Sequence, residues 1–94
     1  MKTHTSEKIR FIERLMQLER KVKKGYICNI SSRGDTITFA IMNLGSIYPI
    51  VSADCNPKCY ITEEAQLRSI AAIETRPEWQ RYFKKSGVKR STSA

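Results

Sequence analysis

The chain has 94 residues, of which 40% are hydrophobic and 28% are charged. This length supports one domain with one small core, and no segment approaches the roughly 20 consecutive apolar residues that a membrane-spanning helix needs. Seventeen Lys and Arg residues against nine Asp and Glu residues give a formal net charge of +8. Such an excess favours polyanions or acidic protein surfaces as partners. Because no long apolar segment is present, we expect no membrane.

The strongest helical pattern covers residues 6–24, where Thr5 or Ser6 can cap the start and Gly25 lies at the position at which glycine often ends a helix. The helical period places the apolar residues in two adjacent seams, the first formed by Phe11, Leu15, Leu18 and Val22 and the second by Ile9, Ile12 and Met16. We expect one seam to pack on the sheet. The other would pack on the C-terminal helix or on a partner chain, which includes a homodimer through helix 1.

After Gly25 the hydrophobic period changes to two. Alternation from residue 26 to residue 41, interrupted by Ser-Arg-Gly-Asp at 32–35, predicts a β-hairpin. A second turn at 43–46 leads to a third strand at 47–51. Pro49 cannot donate to a strand ladder, so we expect this strand at an edge of a three-stranded antiparallel meander.

The C-terminal part predicts a loop at 54–58 and then two helices. Thr62 can cap a helix that runs to about residue 74, with Glu63 and Glu64 in its first turn. Thr75 and Glu78 have the spacing of a capping box, which predicts a short helix at 76–85. The small and basic residues 87–94 are expected to be disordered, and residues 1–86 to form the single domain.

Together these elements predict an α+β fold of order α-β-β-β-α-α. The order α-β-β-β-α over residues 5–74 resembles that of double-stranded RNA-binding domains. Those domains carry a lysine-rich run at the start of the final helix, where this sequence has Thr62, Glu63 and Glu64. The resemblance therefore concerns topology, and no functional residue is transferred from it.

Two groups of basic residues are candidate contacts to nucleic-acid phosphates. The first group, Arg10, Arg14, Lys21 and Lys24, falls on one line of the predicted helix opposite the apolar seams and about 21 Å long. The second group comprises Arg81, Lys84, Lys85, Lys89 and Arg90. The alternative for the first group is the ordinary solvated face of a surface helix. The aromatic residues beside the second group would either stack on unpaired bases or dock the last helix on the core.

The chain has three cysteines, Cys28, Cys55 and Cys59. This odd number favours reduced thiols over a disulfide framework. Cys55 and Cys59 have a spacing found in zinc sites, but a complete site would also need Cys28 and His4. We expect no metal and no cofactor. No arrangement of carboxylates or of cysteine and histidine predicts catalysis, and the expected protein is not an enzyme.

Two functions fit these observations. The first is a small basic protein that binds nucleic acid, or is associated with it, in an accessory or regulatory role. The alternative is a protein-binding adaptor or inhibitor that docks on a larger acidic protein. The first residues, MKTHTSEK, lack the apolar segment of a secretory signal, so we expect a cytoplasmic location.

Overall fold

The computed structural model describes residues 5–84. In chain order it contains helix α1 (Thr5–Glu19), strands β1 (Tyr26–Arg33), β2 (Thr36–Asn43) and β3 (Pro49–Cys55), a 3-10 helix (Pro57–Cys59), and helices α2 (Glu63–Thr75) and α3 (Pro77–Gln80). The strands form one antiparallel sheet in the order β1-β2-β3. The predicted α+β fold of order α-β-β-β-α-α is confirmed. Within residues 5–84, no helix combines the length and the apolar character needed to cross a membrane.

The hairpin of β1 and β2 follows the alternation in the sequence. Its register pairs Tyr26 with Asn43 at one end and Arg33 with Thr36 at the other. Gly34, the first central residue of the turn, has a φ of 60°. Asp35, the second central residue, has no positive φ. A positive φ at the first central position alone is typical of a type II′ turn, whose twist matches that of the two strands. The glycine at this position therefore sets the hairpin register.

One face of the sheet forms the core together with the helices. The buried side chains of this core include Phe11, Leu15 and Leu18 from α1, Ile37, Phe39 and Ile41 from β2, and Tyr60, Ile73 and Trp79. Each such side chain contributes roughly 1.5–3 kcal/mol of hydrophobic stabilisation. The first seam of α1 is thus part of the core. In the second seam, Ile9 and Met16 remain 53% and 51% exposed among the described residues, so the C-terminal helix does not cover them.

Helix α1 ends at Glu19, and the predicted end at residue 24 is wrong. Val22 instead forms an isolated antiparallel bridge with Phe83. The Lys23 amide donates to the Tyr82 carbonyl at 2.9 Å, and the Lys84 amide donates to the Lys21 carbonyl at 2.6 Å. These backbone groups are hydrogen-bonded across to a segment some sixty residues later in the chain. They are therefore not available to extend the helical ladder of α1.

Strand β3 also differs from its prediction, because it begins and ends later than expected. Pro49 opens the strand opposite Met42, where the register shifts, and β3 is an edge strand as its proline indicated. Pairing continues to Ile37 and Cys55, so the predicted loop at 54–58 is wrong over its first two residues. The Asn56 side chain then accepts from the Lys58 amide at 2.9 Å and caps the 3-10 helix.

Of the two capping signals in the C-terminal part, one is confirmed. The Thr62 hydroxyl accepts from the Ala65 amide at 3.0 Å at the start of α2. The predicted capping box is wrong, because Thr75 is the last residue of α2 and donates its hydroxyl to the Ala71 carbonyl at 2.8 Å. A capping residue needs an extended backbone, which a residue inside a helix does not have. Helix α3 consequently begins after Arg76 without a side-chain cap and has only four residues.

Candidate polyanion-binding site

The four cations predicted along helix 1 do not form one line. Arg10 and Arg14 lie on α1, whereas Lys21 and Lys24 lie beyond its end at Glu19. The geometric prediction was wrong because it extended the helical period over residues that leave the helix. The surroundings of each cation therefore decide which of them are available to a ligand.

Arg14 is engaged in the contact between α1 and α2. Its Nε donates to Oε1 of Gln66 at 2.9 Å, and its Nη2 lies 3.4 Å from the Glu63 carboxylate. Gln66 is a buried polar residue whose Nε2 donates to the carbonyls of Tyr60 at 2.9 Å and Glu7 at 3.3 Å. Arg14 completes the hydrogen bonding of this amide, and it has a structural role that accounts for its position.

Two further cations reach carboxylates in the fold. Lys21 Nζ lies 2.8 Å from Oε2 of Glu74, near the end of α2. Lys8 Nζ lies 3.9 Å from Oδ1 of Asp35 and donates to the Gly34 carbonyl at 2.9 Å. The first pair connects the segment after α1 with α2, and the second connects the first turn of α1 with the turn between β1 and β2. Exposed pairs of this kind add little stability.

The backbone pairing of residues 20–24 with residues 82–84 creates a cluster that we call the basic junction. It brings together the two groups of basic residues that are separated in the sequence. Six exposed cations belong to it: Arg20, Lys21, Lys23, Lys24, Arg81 and Lys84. Within the described chain, the ion pair of Lys21 with Glu74 is the salt bridge that involves a member of this cluster. The junction is therefore a concentrated positive surface.

The basic junction contains four of the nine residues predicted as nucleic-acid contacts, namely Lys21, Lys24, Arg81 and Lys84. Arg10 is exposed on the second turn of α1, away from the junction, and Arg14 is half-buried. Lys85, Lys89 and Arg90, with the rest of the predicted tail, lie outside the described residues. Sequence reasoning missed Arg20 and Lys23. The charge run Arg-Lys-Val-Lys-Lys at 20–24 was the signal for them, but the helical period used there selected only two of its four cations.

The aromatic residues next to Arg81 serve the core. Trp79, Tyr82 and Phe83 are all buried. Trp79 stacks on Phe39 with ring centroids 5.6 Å apart, and Tyr82 meets Tyr26 edge to face at 5.0 Å. Of the two alternatives for these rings, docking of the C-terminal segment on the core is the one observed. This packing holds Arg81 and Lys84 against the end of α1.

Two of the three cysteines, Cys28 and Cys55, have thiols with a raised pKa. The pKa of Cys55 is raised to about 12, mainly by burial and to a smaller extent by the nearby Cys59. The pKa of Cys28 is also raised to about 12, mainly by burial and to a smaller extent by Glu19. Both thiols are therefore protonated near neutral pH, which is the unreactive form. Among residues 5–84 there is no group of three or more histidine, cysteine or acidic side chains placed to hold a metal ion. His4 lies outside this part of the chain.

Comparison of the chain with protein-family models, with curated proteins and with solved structures gives no significant match. The basic junction offers exposed ammonium and guanidinium groups on two paired backbone segments. Such groups bind phosphate or carboxylate oxygens through charge-assisted hydrogen bonds.

Proposed function

We propose that this chain is a small, non-enzymatic protein that binds nucleic acid and that its basic junction contacts the phosphates. One observation carries the proposal. The hydrogen bonds of Lys23 with Tyr82 and of Lys84 with Lys21 join two basic segments that the sequence separates by more than fifty residues. A fold that needed these segments only for packing would require Val22 and Phe83 at this place, but not six exposed cations around them.

The charge of the junction supports polyanion binding for a physical reason. Each cation that neutralises a phosphate releases condensed counterions, and this release drives nucleic-acid binding. Within residues 5–84, nine acidic residues accompany thirteen basic ones, and the four salt bridges use three acidic partners away from the junction. Five of the six cations of the junction thus have no salt-bridge partner among the described residues. Contacts of this type recognise the backbone and its shape rather than a base sequence.

A salt titration tests the proposal. Binding of labelled single-stranded DNA, double-stranded DNA and structured RNA is measured by fluorescence anisotropy at several salt concentrations. The test variant replaces Arg20, Lys23, Lys24 and Arg81 by Gln. If these four side chains each contact a phosphate, the slope of log K against log salt falls by about three to four units, at roughly 0.7–0.9 per contact.

A matched control separates the site from the net charge. The control variant also removes four positive charges, but at positions outside the junction. It replaces Arg10, Arg33, Lys58 and Arg68 by Gln. Arg33 lies at the far end of β1, about 24 Å from its start at 3.4 Å per residue. The control variant should keep most of the wild-type slope. Equal slopes in the two variants, or no binding by the wild type near physiological salt, would contradict the proposal.

A second candidate function is docking of a protein partner, including a second copy of this chain, on α1. The observation that favours it is the exposure of Ile9 and Met16, beside a groove of about 330 Å³ between α1 and β1. The groove is lined by Ile12, Met16, Glu19, Ile30, Ser31 and Ser32. Light scattering after size-exclusion chromatography tests self-association. A dimer that Met16→Glu converts to a monomer would support this function, and a wild-type monomer at high concentration would exclude the homodimer.

A further inference from the structure

The connection between β2 and β3 exposes three large apolar side chains. Leu44, Ile47 and Tyr48 are 71%, 79% and 75% exposed, more than any other large hydrophobic residue among residues 5–84. Single exposed apolar residues are common on protein surfaces, but a group of three on one loop is a feature of interaction sites. Tyr48 is also distinct from the other aromatic residues at positions 5–84, which are all buried or half-buried.

The backbone of this loop is held by hydrogen bonds. The Ser46 amide donates to the Asn43 carbonyl at 3.0 Å, and the Tyr48 amide donates to the Ser46 hydroxyl at 3.1 Å. Pro49 follows Tyr48 and restricts the backbone of the preceding residue to extended conformations. The loop therefore presents the Tyr48 ring from a defined backbone, which lowers the entropy that a ligand would have to remove on binding.

The loop lies beside the basic junction. The Leu44 amide donates to the carbonyl of Gly25 at 3.0 Å, and Gly25 directly follows Lys24. Tyr26, which meets Tyr82 of the C-terminal segment, pairs with Asn43 at the start of the loop. Strand β3 is two strand spacings, about 10 Å, from β1. The exposed loop and the basic junction therefore lie at the same end of the sheet.

We propose that this end of the molecule binds an unpaired nucleic-acid strand, with phosphates on the basic junction and a base stacked on Tyr48. The inference rests on the proposed function and adds the class of nucleic acid. In a duplex the base faces are stacked inside the helix, and only phosphates, sugars and base edges are accessible. An unpaired strand offers phosphates and flat base faces in regular alternation. An exposed aromatic ring at the same end of the molecule as the basic junction matches the unpaired strand. Leu44 and Ile47 supply apolar surface beside the stacked base.

The test compares a labelled oligothymidylate of about 12 nucleotides, within the usual size range of single-strand sites, with a duplex of the same length. The full chain and its Tyr48→Ala, Tyr48→Phe and Leu67→Ala variants are used. Leu67 is an exposed apolar residue on α2 and controls for the loss of apolar surface. Tyr48→Ala should weaken single-strand binding at least about fivefold, and Tyr48→Phe, which keeps the ring, should restore it. The salt slope should not change, because no charge is removed.

The outcomes distinguish this inference from the proposed function. If the wild type binds neither these oligonucleotides nor structured RNA, both fail. If it binds structured RNA alone, only the inference fails. If it binds the duplex as tightly as the single strand, or if Tyr48→Ala binds the single strand like the wild type, only the inference fails. Vesicles containing one-third phosphatidylserine form a further arm. Tyr48-dependent binding to these vesicles without binding to oligothymidylate would overturn the inference in favour of a membrane surface.

Discussion

Cations on α1 and cations in the segment that follows it show how differently the same residue types are used. Lys8 and Arg14 reach across to Asp35, Gln66 and Glu63, so their charges belong to the packing of the domain. Arg20, Lys23 and Lys24 follow the helix and make no side-chain contact of this kind in the described chain. Charge density in a sequence therefore does not identify a binding surface. Cations that pair with groups of the same fold must first be excluded, and only the remaining ones are available to a ligand.

The largest expected effect concerns the ring that docks the C-terminal segment, with Arg81 and Lys84, on the core. Trp79→Ala removes a fully buried side chain that stacks on Phe39 and Phe83, and it should lower the free energy of unfolding by about 3–5 kcal/mol. Urea unfolding followed by circular dichroism measures the change. Trp79→Phe keeps an aromatic ring and should cost less. A loss below about 1 kcal/mol in Trp79→Ala would show that the C-terminal segment is not docked as described.

Arg14→Ala should have the next largest effect. It leaves Oε1 of the buried Gln66 without its donor, and loss of one partner of a buried polar group costs about 1–3 kcal/mol. Arg10→Ala, one turn earlier on the same helix and exposed, should change stability by about 0.5 kcal/mol or less. Equal effects of the two substitutions in urea unfolding would remove the distinction between structural and available cations on α1.

Lys21 belongs to both kinds of cation, because it lies in the basic junction and also pairs with Glu74. A double-mutant cycle with Lys21→Gln and Glu74→Gln should give a coupling free energy of about 0.2–1 kcal/mol, as usual for exposed pairs. The coupling should shrink at about 1 M salt, where the screening length is near 3 Å. A coupling that persists at this salt concentration would indicate that the pair is more protected from solvent than described.

The smallest effect on stability is expected at Lys24. Lys24→Ala should change the free energy of unfolding by about 0.5 kcal/mol or less, because the side chain is exposed. The same substitution should lower the salt slope of nucleic-acid binding by roughly 0.7–0.9, as expected for one lost phosphate contact. Arg33→Ala, at the opposite end of β1, should leave both quantities unchanged. A similar loss of slope in Arg33→Ala would mean that binding is not confined to the junction.

Sequence patterns predicted the elements well where a few neighbouring residues are sufficient. Thr62 caps α2 with its own hydroxyl, and Gly34 supplies the positive φ that its turn requires. The predictions at Thr75 and at residues 20–24 were wrong for different reasons. At residues 20–24 the competing hydrogen bonds come from residues 82–84, far along the chain. At Thr75 the competing partner is local, because the hydroxyl donates to the Ala71 carbonyl one turn earlier and Thr75 stays inside α2.

The candidate site illustrates the same limit. The sequence indicated two basic groups, but their meeting depends on Val22 bridging Phe83 and on the burial of Trp79 and Tyr82. The Tyr48 ring was part of a predicted strand, and nothing in its neighbourhood distinguished an exposed tyrosine from a core tyrosine. Exposure is a property of the whole fold, so it becomes visible only when all elements are in place.

By itself, the sequence determined the α+β class, the order of the elements and the positive charge, because hydrophobic period, turn glycines and formal charge are local properties. The tertiary structure alone decided where α1 ends, which cations have partners and which apolar side chains remain in solvent. Those features depend on hydrogen bonds and packing between residues far apart in the chain. A local pattern contains no information about such pairings, whose free energy is realised only when the chain has folded.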